Sequence, residues 1–381
     1  MLARLAQRGA GVFARRSEET ARLATRSTCG ARLEFKMGKA QTAMDETDDK
    51  GKFVRTESKF RNWIKADGEF PPAKDRYAVY FSYACPWASR VYAVRNLLGL
   101  QDVIQMIPVM PIMERTRPDD DDDKHIGWVF SEERPDVLHG CKTIRDVYER
   151  VDKSGNNTKF TVPILFDKQE DKIVSNESAE IIRMLKEFDE FADKSAPLAG
   201  VDLYPKELQK DIDAVNDSFY NRFNNGVYRS GFAKSQEAYN EAVHEVWEAL
   251  DDAEAILSKQ RYIAGDGTRF TEADIRLFVT AVRFDEIYAS HFKCIRRISE
   301  TCPNLFEYTK EILQMPGILE TVEIDDAKTH YTCSHKNINP FSIIPISPFK
   351  FNSDKEFPEC WYDVHYNTPH NREEKFPLKS N

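Results

Sequence analysis

The chain has 381 residues, of which 41% are apolar and 31% are charged, and its formal net charge is −9. This acidic balance gives no basic excess for nucleic-acid binding, and no apolar run approaches the roughly 20 residues of a membrane-spanning helix. The length suits two domains of about 100 to 200 residues each. Seven cysteines without a repeating spacing favour a reducing compartment over a disulfide framework.

Residues 1–37 differ in composition from the rest of the chain. Seven arginines alternate there with Leu, Ala, Val and Phe, and acidic residues are few. This composition predicts an organellar transit segment, with the mitochondrion as the expected destination. A disordered basic tail is the alternative, and a start at Met37 or Met44 would leave a cytosolic form. Residues 38–52 are polar and charged, so they are interpreted as a linker.

The first element predicted after the linker is a strand over the apolar run Tyr77–Phe81. A helix follows, with Cys85 at its start, Pro86 at its first position and apolar residues at helical spacing up to Leu98. The unpaired N–H groups and positive dipole end of a helix favour thiolate over thiol, so they lower the pKa of a cysteine held there. Cys85 is therefore the candidate nucleophile.

The middle of the chain contains an acidic run, followed by two predicted strands and a predicted helix. An acidic run at Asp119–Asp123 predicts a solvated surface loop, to which no chemistry is assigned. Residues 161–166 and 172–176 then predict two strands, and Glu177-Ser178 opens a helical run. Residues 53–195 are therefore expected to form an α/β domain.

The second domain, over residues 196–348, is expected to be all-helical. Periodic stretches without strand patterns lie around residues 208–223, 237–257, 271–287 and 305–313. Thr271 followed by Asp274 is a capping box, which marks a helix start. Residues 349–381 are expected to form an extended tail, because the chain past His330 is rich in Pro and aromatics with little periodicity.

The order of these elements resembles a thioredoxin-like glutathione-binding domain followed by the helical domain of a glutathione transferase. Four motifs make the resemblance specific: Cys85-Pro86-Trp87-Ala88, Val162-Pro163, Gly226-Val227-Tyr228-Arg229, and His330-Tyr331 continuing to Ile338-Asn339-Pro340. The chain resembles the glutathionyl-hydroquinone reductases, the xi class of that superfamily. The resemblance implies glutathione as cosubstrate, no permanently bound cofactor and a homodimer.

The resemblance also implies a glutathione site. A cis Val162–Pro163 bond would turn the backbone of Val162 toward the cysteinyl part of glutathione. Glu177 and Ser178 would bind the γ-glutamyl ammonium and carboxylate groups, with a plain helix cap as the alternative. Trp128 would pack on glutathione, unless it is an unrelated core residue. The segment Lys159, Phe160 and Thr161 completes the site, and Lys159 replaces a family arginine, which loses a bidentate carboxylate contact.

A cysteine in the position of Cys85 favours thiol transfer over conjugation. In the implied reaction, Cys85 attacks the sulfur of a glutathionyl-hydroquinone, and a second glutathione resolves the mixed disulfide. Tyr228 is the implied acid/base, while Tyr288 and Tyr331 would lower the pKa of Cys85 and line the aromatic site. An omega-like thioltransferase or dehydroascorbate reductase is one alternative, and a non-catalytic glutathione-transferase-like interaction module is another.

No metal site is expected. Cys294, Cys302, Cys333 and His335 have sequence gaps that do not match the short Cys pairs of structural zinc sites.

Overall fold

The structure is a computed structural model that describes residues 40, 42, 46–155, 157–346 and 368–377. The expected transit segment, residues 1–37, lies outside the described residues, as does most of the C-terminal tail. Within the described part of the chain, no helix combines the length and apolarity that a membrane crossing requires.

The first domain alternates strands and helices. In chain order these are β1 (Tyr77–Phe81), α1 (Pro86–Leu97), β2 (Gln105–Pro108), β3 (Glu114–Arg115), β4 (Ile126–Gly127), α2 (Ile144–Val151), β5 (Ile164–Asp167), β6 (Lys172–Ser175) and α3 (Ser178–Met184). Four strands form one sheet in the order β2-β1-β5-β6. Strand β2 runs parallel to β1, β5 runs antiparallel to β1, and β6 runs antiparallel to β5. All five residues of β1 are buried, as its continuous apolar sequence requires. The thioredoxin-like expectation is confirmed.

The second domain is helical. It contains α4 (Gln209–Phe219), α5 (Gly226–Phe232), α6 (Gln236–Leu257), α7 (Glu272–Arg283), α8 (Ile298–Thr301), α9 (Pro303–Leu313) and α10 (Ile324–Ser334), and α11 (Arg372–Lys375) follows near the C-terminus. Wide π turns extend α4 over Tyr220–Asn224 and α7 over Phe284–Tyr288. The predicted helical domain is confirmed, whereas α5, α8 and α10 were not predicted. Helix α5 spans only seven residues and contains two glycines, and α10 buries polar as well as apolar side chains.

The capping box at the start of α7 also joins it to its surroundings. Asp274 accepts hydrogen bonds from the Thr271 amide at 2.8 Å, the Ile263 amide at 2.9 Å and the Tyr308 hydroxyl of α9 at 2.9 Å. The carboxylate is fully buried. One short motif therefore fixes the start of a central helix and its packing against α9.

Two segments differ from their sequence-based interpretation. Residues 46–52, predicted as linker, contact both domains: the Lys52 ammonium lies 2.6 Å from Glu241 of α6, and Glu46 contacts the Lys159 ammonium. The described part of the tail is not extended, because α11 packs on the helical domain and Arg372 is fully buried. Neither partner is near in sequence, so local composition could not indicate these contacts.

The acidic run follows its prediction. It lies in the loop between β3 and β4, where Asp119, Asp120, Asp121 and Asp122 are exposed.

Candidate active site

A cavity of about 330 Å³ lies where the two domains meet. Its wall includes ten of the eleven candidate residues: Cys85, Trp128, Lys159, Phe160, Thr161, Val162, Glu177, Ser178, Tyr228 and Tyr331. Tyr288 is fully buried behind the cavity wall, where it contacts Tyr331 and Tyr228. The fold thus gathers nearly all the predicted residues around one space.

Cys85 stands at the N-cap of α1 with an extended backbone, and Pro86 occupies the first helical turn. The Cys85 thiol donates to the Val162 carbonyl oxygen at 3.6 Å. The Val162–Pro163 peptide bond is cis, as the resemblance implies. Two motifs that lie 77 residues apart in sequence therefore meet at the sulfur.

The pKa of Cys85 is raised rather than lowered in this structure, so the direction predicted from the helix start is wrong here. Burial is the largest cause. The backbone N–H groups of Ala88 and Trp87 oppose it, as do the positive charges of Arg55 and Arg283. The helix start acts as expected, but desolvation of the thiolate outweighs it.

Three tyrosine hydroxyls form a cluster that links separate parts of the helical domain. The hydroxyl of Tyr228 on α5 lies 2.5 Å from that of Tyr331 on α10, which lies 3.2 Å from the hydroxyl of Tyr288 in the π turn after α7. Burial raises the pKa of each tyrosine, and the negative charge of a Cys85 thiolate raises that of Tyr228 further. The hydroxyls therefore stay protonated at neutral pH, and burial also makes them weaker acids than a free tyrosine.

Glu177 combines the two roles that the sequence left open. One carboxylate oxygen accepts from the Ala179 amide at 3.1 Å, which caps α3, and the other accepts from the Ser58 hydroxyl at 3.0 Å. Both Glu177 and its neighbour Ser178 also line the cavity. A helix cap and a ligand contact are thus compatible in this geometry.

Trp128 is held in place by a second ring. Its indole stacks on His330 with ring centroids 4.5 Å apart and an interplanar angle of 23°. Burial lowers the pKa of His330 to about 4, and its Nδ1 donates to the Pro111 carbonyl at 2.9 Å. A neutral histidine therefore supports the tryptophan that faces the cavity.

Lys159 is engaged by the segment that precedes the first domain. Its ammonium contacts the Glu46 carboxylate and the Thr56 hydroxyl, and burial lowers its pKa to about 8. An incoming carboxylate must therefore share or replace these partners.

Several cavity residues were not predicted from sequence: Glu46, Arg55, Ser58, Arg90, Arg276, His330 and His335. The guanidinium of Arg55 lies 4.5 Å from the centroid of the Trp87 ring. Three of them had a local signal, because Arg90 follows Cys85 by five residues and because His330 and His335 lie in the motif that contains Tyr331. The others lie on segments whose approach to the site depends on tertiary packing.

Comparison with known proteins agrees with this geometry. The glutathione S-transferase N-terminal domain family matches residues 84–187, and the C-terminal domain family matches residues 236–311. The glutathionyl-hydroquinone reductase YqjG of Escherichia coli is 42% identical over 88% of this chain and 96% of its own. PcpF of Sphingobium chlorophenolicum, also named a glutathionyl-hydroquinone reductase, is 41% identical over 80% of this chain and 92% of its own. A Schizosaccharomyces pombe relative named glutathione S-transferase omega-like 2 is 42% identical over 80% and 96%.

Solved structures show the same relationship. The xi glutathione transferase of Phanerochaete chrysosporium superimposes with a TM-score of 0.73 at 43% identity, over 79% of this chain and 94% of its own. The glutathione-bound structure of the Escherichia coli protein YqjG gives a TM-score of 0.72 at 42% identity, over 83% and 97%. The chain therefore belongs to the xi class of the glutathione transferase superfamily, the glutathionyl-hydroquinone reductases.

Proposed function

We propose that the protein reduces S-glutathionyl-hydroquinones to free hydroquinones at the expense of glutathione, with Cys85 as nucleophile. The observation that carries the proposal is the position of the Cys85 sulfur, 3.6 Å from the Val162 carbonyl, in one cavity with the tyrosine cluster. Two relatives named glutathionyl-hydroquinone reductase, each more than 40% identical, support it.

The first step transfers glutathione to the enzyme. The Cys85 thiolate attacks the glutathione sulfur of the conjugate, so that a sulfur–sulfur bond forms and the carbon–sulfur bond breaks. The electron pair of the broken bond stays with the ring, which is thereby reduced, and the developing negative charge is taken up by a ring oxygen that is then protonated. An aromatic carbanion would be a poor leaving group, so the ring first takes up a ketone tautomer and leaves as a stabilised enolate.

Tyr228 supplies the proton in this scheme. Its hydroxyl lines the cavity, stays protonated because burial raises its pKa, and is held at 2.5 Å by Tyr331. A general acid must reach the group that it protonates, and a hydroxyl on the wall facing the substrate ring meets that condition. Tyr331 and Tyr288 orient Tyr228 through the hydroxyl chain.

The second step regenerates the cysteine. The thiolate of a second glutathione attacks the glutathione sulfur of the mixed disulfide, which releases glutathione disulfide and returns Cys85 as thiolate. Two sulfurs are oxidised to a disulfide and one ring carbon is reduced, so the electrons balance without a metal or nucleotide.

A product analysis tests this function. Wild type, Cys85→Ser and Cys141→Ser are incubated with glutathionyl-menadiol and excess glutathione, and hydroquinone and glutathione disulfide are quantified. Cys141 is a matched control, because it is also partly exposed but is not among the residues that line the cavity. We expect equimolar products from wild type and Cys141→Ser and none from Cys85→Ser. Without free glutathione, mass spectrometry should find glutathione attached at Cys85.

The outcomes separate the alternatives. Reduction of a glutathione mixed disulfide without hydroquinone release would assign the omega-like thioltransferase activity, a candidate that the fission-yeast relative's name favours. Inactivity in both assays would favour a non-catalytic interaction module. Hydroquinone release by Cys85→Ser would refute the nucleophile.

We also propose that the protein is a homodimer and that residues 1–37 direct it to an organelle. Sedimentation equilibrium tests the dimer, and the location of a fluorescent fusion with and without residues 1–37 tests the targeting segment.

A further inference from the structure

Arg90 is a buried cation on the cavity wall that lacks an acidic hydrogen-bond partner. It lies on α1, is 1% exposed and lines the cavity. Its Nε and Nη2 atoms are buried and have no hydrogen-bond partner. Buried charges are normally paired, because removing an unpaired charge from water is costly. A guanidinium in this state indicates a partner that comes from outside the chain.

A second guanidinium lies on the wall of the same cavity, close enough for its charge to act on Arg90. Arg276 of α7 also lines the cavity and has a buried Nε without a partner, while its Nη1 donates to Glu272 at 3.3 Å. Burial and the positive charge of Arg276 lower the pKa of Arg90 to about 9. The two cations repel each other, and an anion between them would remove that repulsion.

We propose that Arg90 and Arg276 form a carboxylate-binding subsite of the cavity. A planar guanidinium presents parallel N–H donors that match the two oxygens of a carboxylate, and such charge-assisted bonds are among the strongest in proteins. This proposal deepens the proposed function and rests on it for the identity of the ligand.

Two parts of the substrate could bring the carboxylate. One is the α-carboxylate of the γ-glutamyl group, which has two oxygens and could contact an arginine as well as Ser178. The negative charge of Glu177 acts on Arg90, and Glu177 is the candidate partner of the ammonium on the same carbon. The other is an acidic substituent on the aromatic part of the conjugate. The chemistry is the same, and matched ligand pairs distinguish the sources.

A purely structural role for Arg90 makes a different prediction. The guanidinium lies 4.7 Å from the centroid of the Trp87 ring, so it could serve only to pack that ring. Replacing an unpaired buried charge with an apolar side chain of similar length is neutral or stabilising. We therefore expect Arg90→Met to keep the melting temperature of the ligand-free protein.

Arg95 on the same helix provides the matched control. It is also buried, but it donates to the Ile104 carbonyl at 2.9 Å and the Gln101 carbonyl at 2.6 Å. Arg95→Met leaves these buried carbonyls without their donor, so it should lower the melting temperature and leave ligand preference unchanged.

The experiment measures equilibrium binding by calorimetry for wild type, Arg90→Met, Arg276→Met and Arg95→Met. The first ligand pair is glutathione and its 4-aminobutyryl analogue, which lacks only the α-carboxylate. The second pair is S-(4-carboxyphenyl)glutathione and S-phenylglutathione. We expect wild type and Arg95→Met to prefer the acidic member of one pair by about 10- to 100-fold, and Arg90→Met and Arg276→Met to lose that preference.

Loss of preference in the first pair assigns the γ-glutamyl carboxylate, and loss in the second assigns an aromatic carboxylate. Unchanged preferences in both arginine variants, or no preference in wild type, would overturn the subsite. If Arg90→Met does not fold, Arg276→Met decides alone. Because the readout is binding, failure to release hydroquinone would refute the proposed function without affecting this result.

Discussion

The two walls of the cavity are built differently. On the thioredoxin-like side, Cys85 and Val162 belong to short motifs and are placed by backbone features, a helix start and a cis peptide bond. On the helical side, Tyr228 and Tyr331 are 103 residues apart and meet through their side-chain hydroxyls and their rings. The first wall is therefore determined by local sequence, whereas the second depends on the packing of several helices.

Burial raises the pKa of one reacting group on each wall. It raises the pKa of Cys85, which opposes the thiolate that the proposed reaction needs. It also raises the pKa of Tyr228, which keeps the hydroxyl in the form that can donate a proton. Burial therefore opposes ionisation of both groups, and the helix start and nearby arginines counter it at Cys85.

Removing the hydroxyl of Tyr228 tests whether the walls act separately. Tyr228→Phe keeps the ring contacts, so hydroquinone release should fall by about 10²- to 10⁴-fold while alkylation of Cys85 stays within about twofold. Single-turnover assays and iodoacetamide kinetics measure the two effects. Tyr239→Phe is the control. It removes a hydroxyl that donates to the Lys293 carbonyl at 2.7 Å, and it should leave both rates unchanged. Equal slowing of both reactions would show that the walls are coupled.

Asp274→Ala tests how far the tyrosine wall depends on helix packing. The substitution removes the acceptor of four buried donors, so we expect a loss of roughly 2–4 kcal/mol in the free energy of unfolding. Urea unfolding measures this loss. Glu237→Ala, in the first turn of α6 and exposed, should change the unfolding free energy little. A similarly small effect of Asp274→Ala would show that packing alone fixes α7.

The same carboxylate gives a pH dependence. Burial raises the pKa of Asp274 to about 6, so between pH 4 and 6 the folded state binds more protons there than the unfolded state. Its contribution to stability is therefore complete below about pH 4 and declines as the pH rises through 6. Asp274→Asn should remove this slope from unfolding free energies measured across that range. An unchanged slope would assign it to other groups.

A smaller effect is expected from the charge of Arg55, which acts on the pKa and reactivity of Cys85. Arg55 lowers the pKa of Cys85, so Arg55→Met should raise it further and slow alkylation at pH 7.5 by about threefold. The rate of iodoacetamide reaction across pH 7 to 10 measures the shift. Arg222→Met, which removes a cation paired with Asp252 away from the cavity, is the control. Identical pH profiles would show that the charge of Arg55 does not affect the pKa of Cys85.

The smallest expected effect concerns Lys159. Lys159→Arg supplies the bidentate donor that the family resemblance leads one to expect, so glutathione should bind about two- to fivefold more tightly. Glu46→Gln should act in the same direction, because it removes a carboxylate that competes for the Lys159 ammonium. Calorimetric titration measures both variants. Weaker binding by Glu46→Gln would show that Glu46 positions Lys159 instead.

The sequence predicts features that are encoded locally. The strand before Cys85, the start of α3 at Ser178 and the capping box of α7 all follow from neighbouring residues, and the structure has each of them. The glutathione-site candidates from Lys159 to Val162 follow from a motif, and they line the cavity as a continuous segment.

Features created by distant contacts were missed or misjudged. Residues 46–52 are polar, as in a linker, yet Glu46 reaches the cavity because Lys159 offers it a charge partner. The direction of the Cys85 pKa shift depends on how deeply the sulfur is buried. A helix start recognised in the sequence gives no information about that burial. Arg90 has a normal sequence context for a helix, and only the fold shows that its guanidinium is buried without a partner.

Helix α11 shows that the packed structure includes residues beyond position 348. The guanidinium of Arg372 donates to the carbonyl oxygens of Leu257 at 2.7 Å and of Gln260 and Arg261 at 2.6 Å, just past the end of α6. A truncation at residue 348, the boundary suggested by sequence, would leave three carbonyls facing a new gap. Shortened versions of this protein should therefore keep residues 368–377, and affinity tags should follow them.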